Sequence, residues 1–155
     1  MTATAATAAS VTAPVADPRV LALAHYAARG VLERVLARHG VTFQEQIALR
    51  AAVTADTPPT PDDLVVQVQG SLKADPTDIR TTLDELLAKH LLVADGAHLR
   101  PTAAGRELIS VAAAEAAPFT ARIWGGMDPE DLAAAGRVLA LVAERADAEL
   151  AALAA

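Results

Sequence analysis

The sequence predicts a mainly α-helical chain with one short β-hairpin, and three observations carry that prediction. Of the 155 residues, 53% are hydrophobic but only 3% aromatic, and the surplus is largely alanine, the best helix former. Apolar residues recur at helical spacing from Pro18 almost to the C-terminus. The strongest hairpin signal is Asp95-Gly96, set between the apolar runs Leu91–Ala94 and Ala97–Leu99. Around it, Val68–Leu92 (VQGSLKADPTDIRTTLDELLAKHLL) is followed at once by VADGAHLRPTAAGREL. Helix, tight turn, second helix, hairpin, third helix is the layout of a winged helix-turn-helix.

Each element has its own local cause. Residues 1–17 are low-complexity Ala, Thr, Val and Pro, which reads as a disordered tail. From Pro18, residues Leu21, His25, Ala28, Leu32, Val35 and His39 share a helix face, and Gly40 stops that helix. Thr42 caps the next, in which Phe43, Ile47, Ala48 and Ala51 recur. TADTPPTP (54–61) is a loop with three prolines. Thr60-Pro61-Asp62-Asp63 supplies an N-cap, a proline at the first helical position and acids in the first turn. Val65–Val68 alone would pass for a strand, but the cap favours helix, with Leu64, Val65, Val68 and Leu72 inward.

The second motif helix opens with Asp75-Pro76-Thr77 and runs to Lys89, its buried stripe being Ile79, Leu83, Leu86 and Leu87. Thr102 caps a long helix through roughly Ala117, where Pro118 should kink or break it. Gly125-Gly126 is a hinge, and Asp128-Pro129-Glu130-Asp131 starts the last helix. There Leu132, Ala135, Leu139, Val142, Ala146, Glu149 and Leu153 alternate spacings of three and four. Such a seam needs a partner helix, within the chain or in a second copy.

Composition restricts the function. Net charge is −6, distributed as +1 over residues 1–59, −3 over 60–107 and −4 over the remainder. Binders of nucleic acid usually present a basic surface, so a generic electrostatic DNA binder is disfavoured. With no cysteine there are no disulfides or thiolate metal sites, which weakly suggests a reducing cytoplasm. The N-terminus lacks a basic segment before an apolar core, so no signal peptide is expected, and no run of 18 uncharged apolar residues indicates a membrane span. The cytoplasm is the expected location. GxSxG, P-loop, GxGxxG and HExxH motifs are all missing, none of the three serines adjoins a histidine, and no two histidines have metal-ligand spacing on one helix. Neither an enzyme nor a bound cofactor or metal is expected.

The chain resembles the MarR family of winged-helix transcriptional regulators over about residues 20–150. GVTFQEQIALR (Gly40–Arg50) looks like the family's glycine–apolar–threonine–x–glutamine opening of the second helix. Val68–Leu92 aligns without a gap to its helix-turn-helix, and Pro101-Thr102-Ala103-Ala104-Gly105 resembles the Leu-Thr-x-x-Gly after its wing. The resemblance implies an obligate homodimer with interlocking N- and C-terminal helices, and DNA binding relieved in many members by a small molecule. Residues 18–155 then form one domain, with 18–53 and 106–155 the dimerisation helices and 60–105 the winged helix-turn-helix. Two departures stand out. The wing is cut back to Asp95-Gly96 without the family's Asp-Arg pair, and His90 replaces the glycine that usually ends the recognition helix.

On this reading the partner is double-stranded DNA carrying a pseudo-palindromic operator. Thr77, Arg80 and Thr81 are candidates for base or phosphate contact, Lys73 for a phosphate in the turn, and Arg100 is the hairpin's one basic residue. His25 sits on the apolar face of the first helix. It reads either as a core histidine or, with Tyr26, Arg29 and Trp124, as the lining of an effector pocket in which arginine would suit a carboxylate. The competing function is a winged-helix module that has lost or weakened DNA binding and holds a ligand or a protein instead.

Overall fold

The structure, a computed structural model, describes residues 15–154. Its elements are α1 (Pro18–Arg38), α2 (Phe43–Thr54), α3 (Pro61–Leu72), α4 (Pro76–Ala88), β1 (Leu92–Asp95), β2 (His98–Pro101), α5 (Ala103–Trp124) and α6 (Pro129–Leu153). The chain forms two compact units, Met1–Ala116 and Ala117–Ala155. Residues 1–14 of the expected disordered tail lie outside the described residues, and Asp17, at its end, is the N-cap of α1, accepting from the Val20 amide at 2.8 Å.

The helix boundaries follow from the capping chemistry read in the sequence. Thr42 and Glu45 form a reciprocal capping box at the start of α2, and Thr60 and Asp63 form another at α3. Asp75 accepts from the Thr77 amide at 2.7 Å, with Pro76 at the first helical position of α4. Both α1 and α4 end with a left-handed residue and paired backwards bonds: Gly40 (φ 68) with Val41 N–H to the Leu36 carbonyl, His90 (φ 56) with Leu91 N–H to the Leu86 carbonyl. Gly40 adopts that geometry freely; His90 does so at a cost of about 1–2 kcal/mol.

The first unit is built around one core. Leu36 of α1, Leu49 of α2, Leu64 and Val68 of α3, Ile79 and Leu86 of α4, and Leu92 of β1 are buried within it, with Leu99 of β2 and Ala112 of α5. Burying each large aliphatic side chain contributes roughly 1.5–3 kcal/mol. On α4 the buried set is Ile79, Thr82, Leu83 and Leu86, while the expected Leu87 is only partly covered. Thr82 takes its inward place because its hydroxyl donates to the Asp78 carbonyl within the helix, leaving no unsatisfied donor.

Two expectations are corrected. In the hairpin, Asp95 pairs with His98, so the two-residue loop is Gly96-Ala97 and not Asp95-Gly96. A type I′ turn would require positive φ at both loop residues, and Ala97 does not have it. Gly96, with φ 60, fits the first position of a type II′ turn. Pro118 does not end α5, which continues to Trp124. What it does mark is the division between the two units, which falls between Ala116 and Ala117. The helix stops instead at Gly125-Gly126, where Gly126 has φ 77.

In the second unit, α6 has no buried residue, and Val138, Leu139, Leu141, Val142, Leu150 and Leu153 are exposed along it. Within the first unit, α1 is buried only near its C-terminal end, at Val35 and Leu36, leaving Val20, Leu21 and Leu23 exposed. No helix among the described residues is long and apolar enough to cross a membrane.

Candidate nucleic-acid interface and an adjoining cleft

The turn between α3 and α4 is made by Lys73, whose left-handed backbone (φ 54, ψ 28) closes α3, and by half-buried Ala74. It exposes the start of α4, where Thr77, Arg80 and Thr81 occupy one outward face at spacings of three and four. The Thr81 hydroxyl donates to the Thr77 carbonyl at 3.1 Å, which fixes its rotamer and leaves its oxygen free to accept. Arg80 is exposed but engaged: its guanidinium donates to the Asp62 carboxylate of α3 at 2.9 Å. On the hairpin, Arg100 lies 3.2 Å from Asp95. Both arginines are thus oriented and charge-compensated by an acid on a neighbouring segment. All five residues named from the sequence, Lys73, Thr77, Arg80, Thr81 and Arg100, are exposed, while the two acidic partners were not foreseen.

Two further contacts hold α4 against its surroundings. Lys89, its C-cap, places Nζ 2.6 Å from Oε1 of fully buried Glu45 and donates to the Gly40 carbonyl at 2.9 Å. Behind the hairpin, the Thr102 hydroxyl accepts from the Gly105 amide at 3.0 Å and donates to the His90 carbonyl at 2.8 Å. Gly105 packs directly on the Leu91 carbonyl, where a Cβ would not fit. This gives the Thr-x-x-Gly sequence a physical reason: the hydroxyl ties the turn that precedes the hairpin to the helix that follows it, and the glycine permits the close approach.

Of the four residues expected to border an effector pocket, Arg29 alone lines the cleft found beside α4. Arg29 lines an open cleft of about 410 Å³ bounded by α1, the start of α2 and α4, with Phe43 and Glu33 beside it and Asp78, Thr81 and Glu85 opposite. Its guanidinium donates to Glu33 at 2.8 Å and lies 4.6 Å above the Phe43 ring. His25 is exposed, so it is not a core histidine, and its ring stands 5.7 Å from that of Tyr26, which is 67% exposed. Neither lines the cleft: both stand about one helical turn N-terminal to Arg29, and of the three only Arg29 is in its lining. Trp124, 54% exposed, ends α5 in the second unit and does not line it either. A smaller cleft of about 200 Å³ lies between Arg80, Leu87 and Leu99.

At the end of α1, Arg38 lies 2.7 Å and half-buried His39 3.3 Å from Glu115 of α5. Desolvation works to raise the Glu115 pKa, but hydrogen bonds from Arg38 and His39 outweigh it, and the carboxyl is held below its ordinary value.

The fold has solved counterparts. A MarR-family transcriptional regulator from Rhodococcus superposes with a TM-score of 0.66 at 20% identity, over 80% of this chain and 91% of that one. The fold is that of the MarR regulators. CouR from Rhodococcus jostii, bound to p-coumaroyl-CoA, gives 0.67 at 20% identity over 80% and 89% of the two chains. A MarR-family protein of Mycobacterium tuberculosis in complex with DNA gives 0.63 at 20% identity over 84% and 98%. No protein-family model and no curated protein matches the sequence. The MarR-like architecture therefore accounts for why α4, the hairpin and the Thr102–Gly105 turn occur in this order and spacing.

Proposed function

We propose that this chain is a homodimeric, ligand-responsive transcriptional regulator that reads a pseudo-palindromic operator through α4. The observation that carries the reading is the exposed face Thr77–Arg80–Thr81, presented by a capped helix directly after a tight turn bearing Lys73. One arginine and two threonines there supply a bidentate donor and two adaptable hydroxyls for base edges or phosphates. Engaging DNA requires Arg80 to leave Asp62, an exposed pair whose loss costs on the order of 1 kcal/mol or less. The dimer is supported by the unburied apolar residues along α6 and the N-terminal half of α1. Solved regulators of this fold bound to DNA and to a small molecule support the two remaining parts.

The test is a mobility shift on DNA flanking the chain's own gene, repeated across salt concentrations. Specific binding should fall steeply as salt rises. Arg80→Ala should cost about 1–3 kcal/mol and relax preference at one operator position, whereas Lys73→Ala should weaken binding evenly across sequences and flatten the salt slope.

A second reading, a ligand- or protein-binding module without DNA affinity, is favoured by the two acid-paired arginines and the −6 net charge. No specific binding even at low salt would select it.

A further inference from the structure

We infer that the cleft between α1, the start of α2 and α4 takes a planar organic cation, an aromatic amidine or amine, and not a carboxylate. The inference rests on the proposed ligand response and is independent of whether α4 reads DNA. The cleft's ionisable lining is Arg29 against Glu33, Asp78 and Glu85, which leaves it two negative charges in excess. Its one cation is already committed. Arg29 gives its Nε–H to Glu33 at 2.8 Å and one flat face to the Phe43 ring at 4.6 Å, so its charge is already balanced by a carboxylate and an anion would have to compete with Glu33 for it. The opposite wall is different. Asp78 and Glu85 stand seven residues apart on the same stripe of α4 as Thr81, and neither carboxylate has an ion-pair partner among the described residues.

Arg29 itself shows what this lining recognises: a delocalised, planar cation between a carboxylate and an aromatic ring. A ligand of the same chemistry entering from solvent would meet the two unneutralised carboxylates of α4, with space of about 410 Å³ for an attached ring. An anion would face both carboxylates at close range and be repelled by them.

The experiment compares benzamidine with benzoate, which share a ring and a shape but carry opposite charge. Each is titrated into the full chain by calorimetry, with amide shifts of Phe43 and Thr81 followed by NMR. Benzamidine should bind at least tenfold more tightly than benzoate and move both amides. Asp78→Asn/Glu85→Gln should lose at least tenfold of that affinity, and Glu85→Gln alone, at an exposed position, keeps the test valid should the double variant misfold. Tighter binding of benzoate, no binding of either probe at millimolar concentration, or benzamidine affinity unchanged in the acid variants would each overturn the inference. A mobility shift without either probe reads DNA binding alone, so loss of that reading is distinguishable from loss of this one.

Discussion

Lys89→Met isolates the one buried charge among the described residues, Glu45. Glu45 is fully buried; its Oε2 accepts from the Thr42 amide at 2.7 Å and its Oε1 faces Lys89 Nζ at 2.6 Å. Methionine keeps most of the apolar stem and removes only the ammonium. Breaking a fully buried ion pair from one side costs about 3–5 kcal/mol, because the surviving charge is left uncompensated. Here two features lower that figure: the Thr42 amide still solvates one carboxylate oxygen, and the Lys89 side chain is 41% exposed, so water can follow where Nζ leaves. The expected loss is about 2 kcal/mol. Adding Glu45→Gln removes the stranded charge while retaining a capping-box side chain, and should recover about 1 kcal/mol of it. Urea unfolding of wild type, both single variants and the double variant completes the cycle. All four are measured at one protein concentration, since self-association would make stability concentration-dependent. A Lys89→Met loss under about 0.5 kcal/mol, or a double variant as unstable as the sum of the singles, would refute the reasoning.

Gly105→Ala should destabilise by about 2 kcal/mol or more in the same assay, because the new Cβ meets the Leu91 carbonyl, while Gly70→Ala, with open space around it, should be neutral or stabilising by up to about 1 kcal/mol. Asp63 is held below its ordinary pKa of 3.8 by the Thr60 hydroxyl and amide, with the charge of His98 adding to them. Its contribution is therefore present above pH 3.8 and lost as pH falls through the depressed value, so Thr60→Ala should flatten the stability–pH curve below about pH 4. Leu139→Asp, on the exposed apolar face of α6, should shift sedimentation equilibrium toward monomer without lowering helix content; an unchanged association state would remove α6 from the dimer interface.

Capping chemistry made most of the fold legible. Thr42, Thr60, Asp75 and Asp128 all stand where helices begin, because a side chain that satisfies an orphan amide acts within three residues and needs no tertiary context; Asp17, read as the end of the tail, is a cap that was missed. The misses came where longer-range structure decides. Asp95 looked like a turn residue by composition, yet Asp95 joins the ladder opposite His98 and the loop moves one residue on. Pro118 was expected to kink or break the helix, yet α5 is not broken there and runs on to Trp124. Of the candidate site, the face on α4 was readable from its apolar period, whereas the acids that hold Arg80 and Arg100 lie 18 and five residues away and leave no periodic trace. Glu45 was detectable in principle, since Thr-x-x-Glu is a capping-box signature, but nothing local announces that its carboxylate is also buried against Lys89.

The Leu99 amide of β2 donates to the Pro59 carbonyl at 2.9 Å, which lays the α2–α3 connection along the outer side of the hairpin. Pro58 and Pro59 have carbonyls but no N–H, so this segment can receive a ladder bond and offer none onward. A strand from another molecule arriving on that side would find a border it cannot extend. The hairpin is thereby closed on its β2 side to edge-to-edge aggregation and to capture of extended peptides alike. Whatever associates with this chain on that side must come by a geometry other than strand addition.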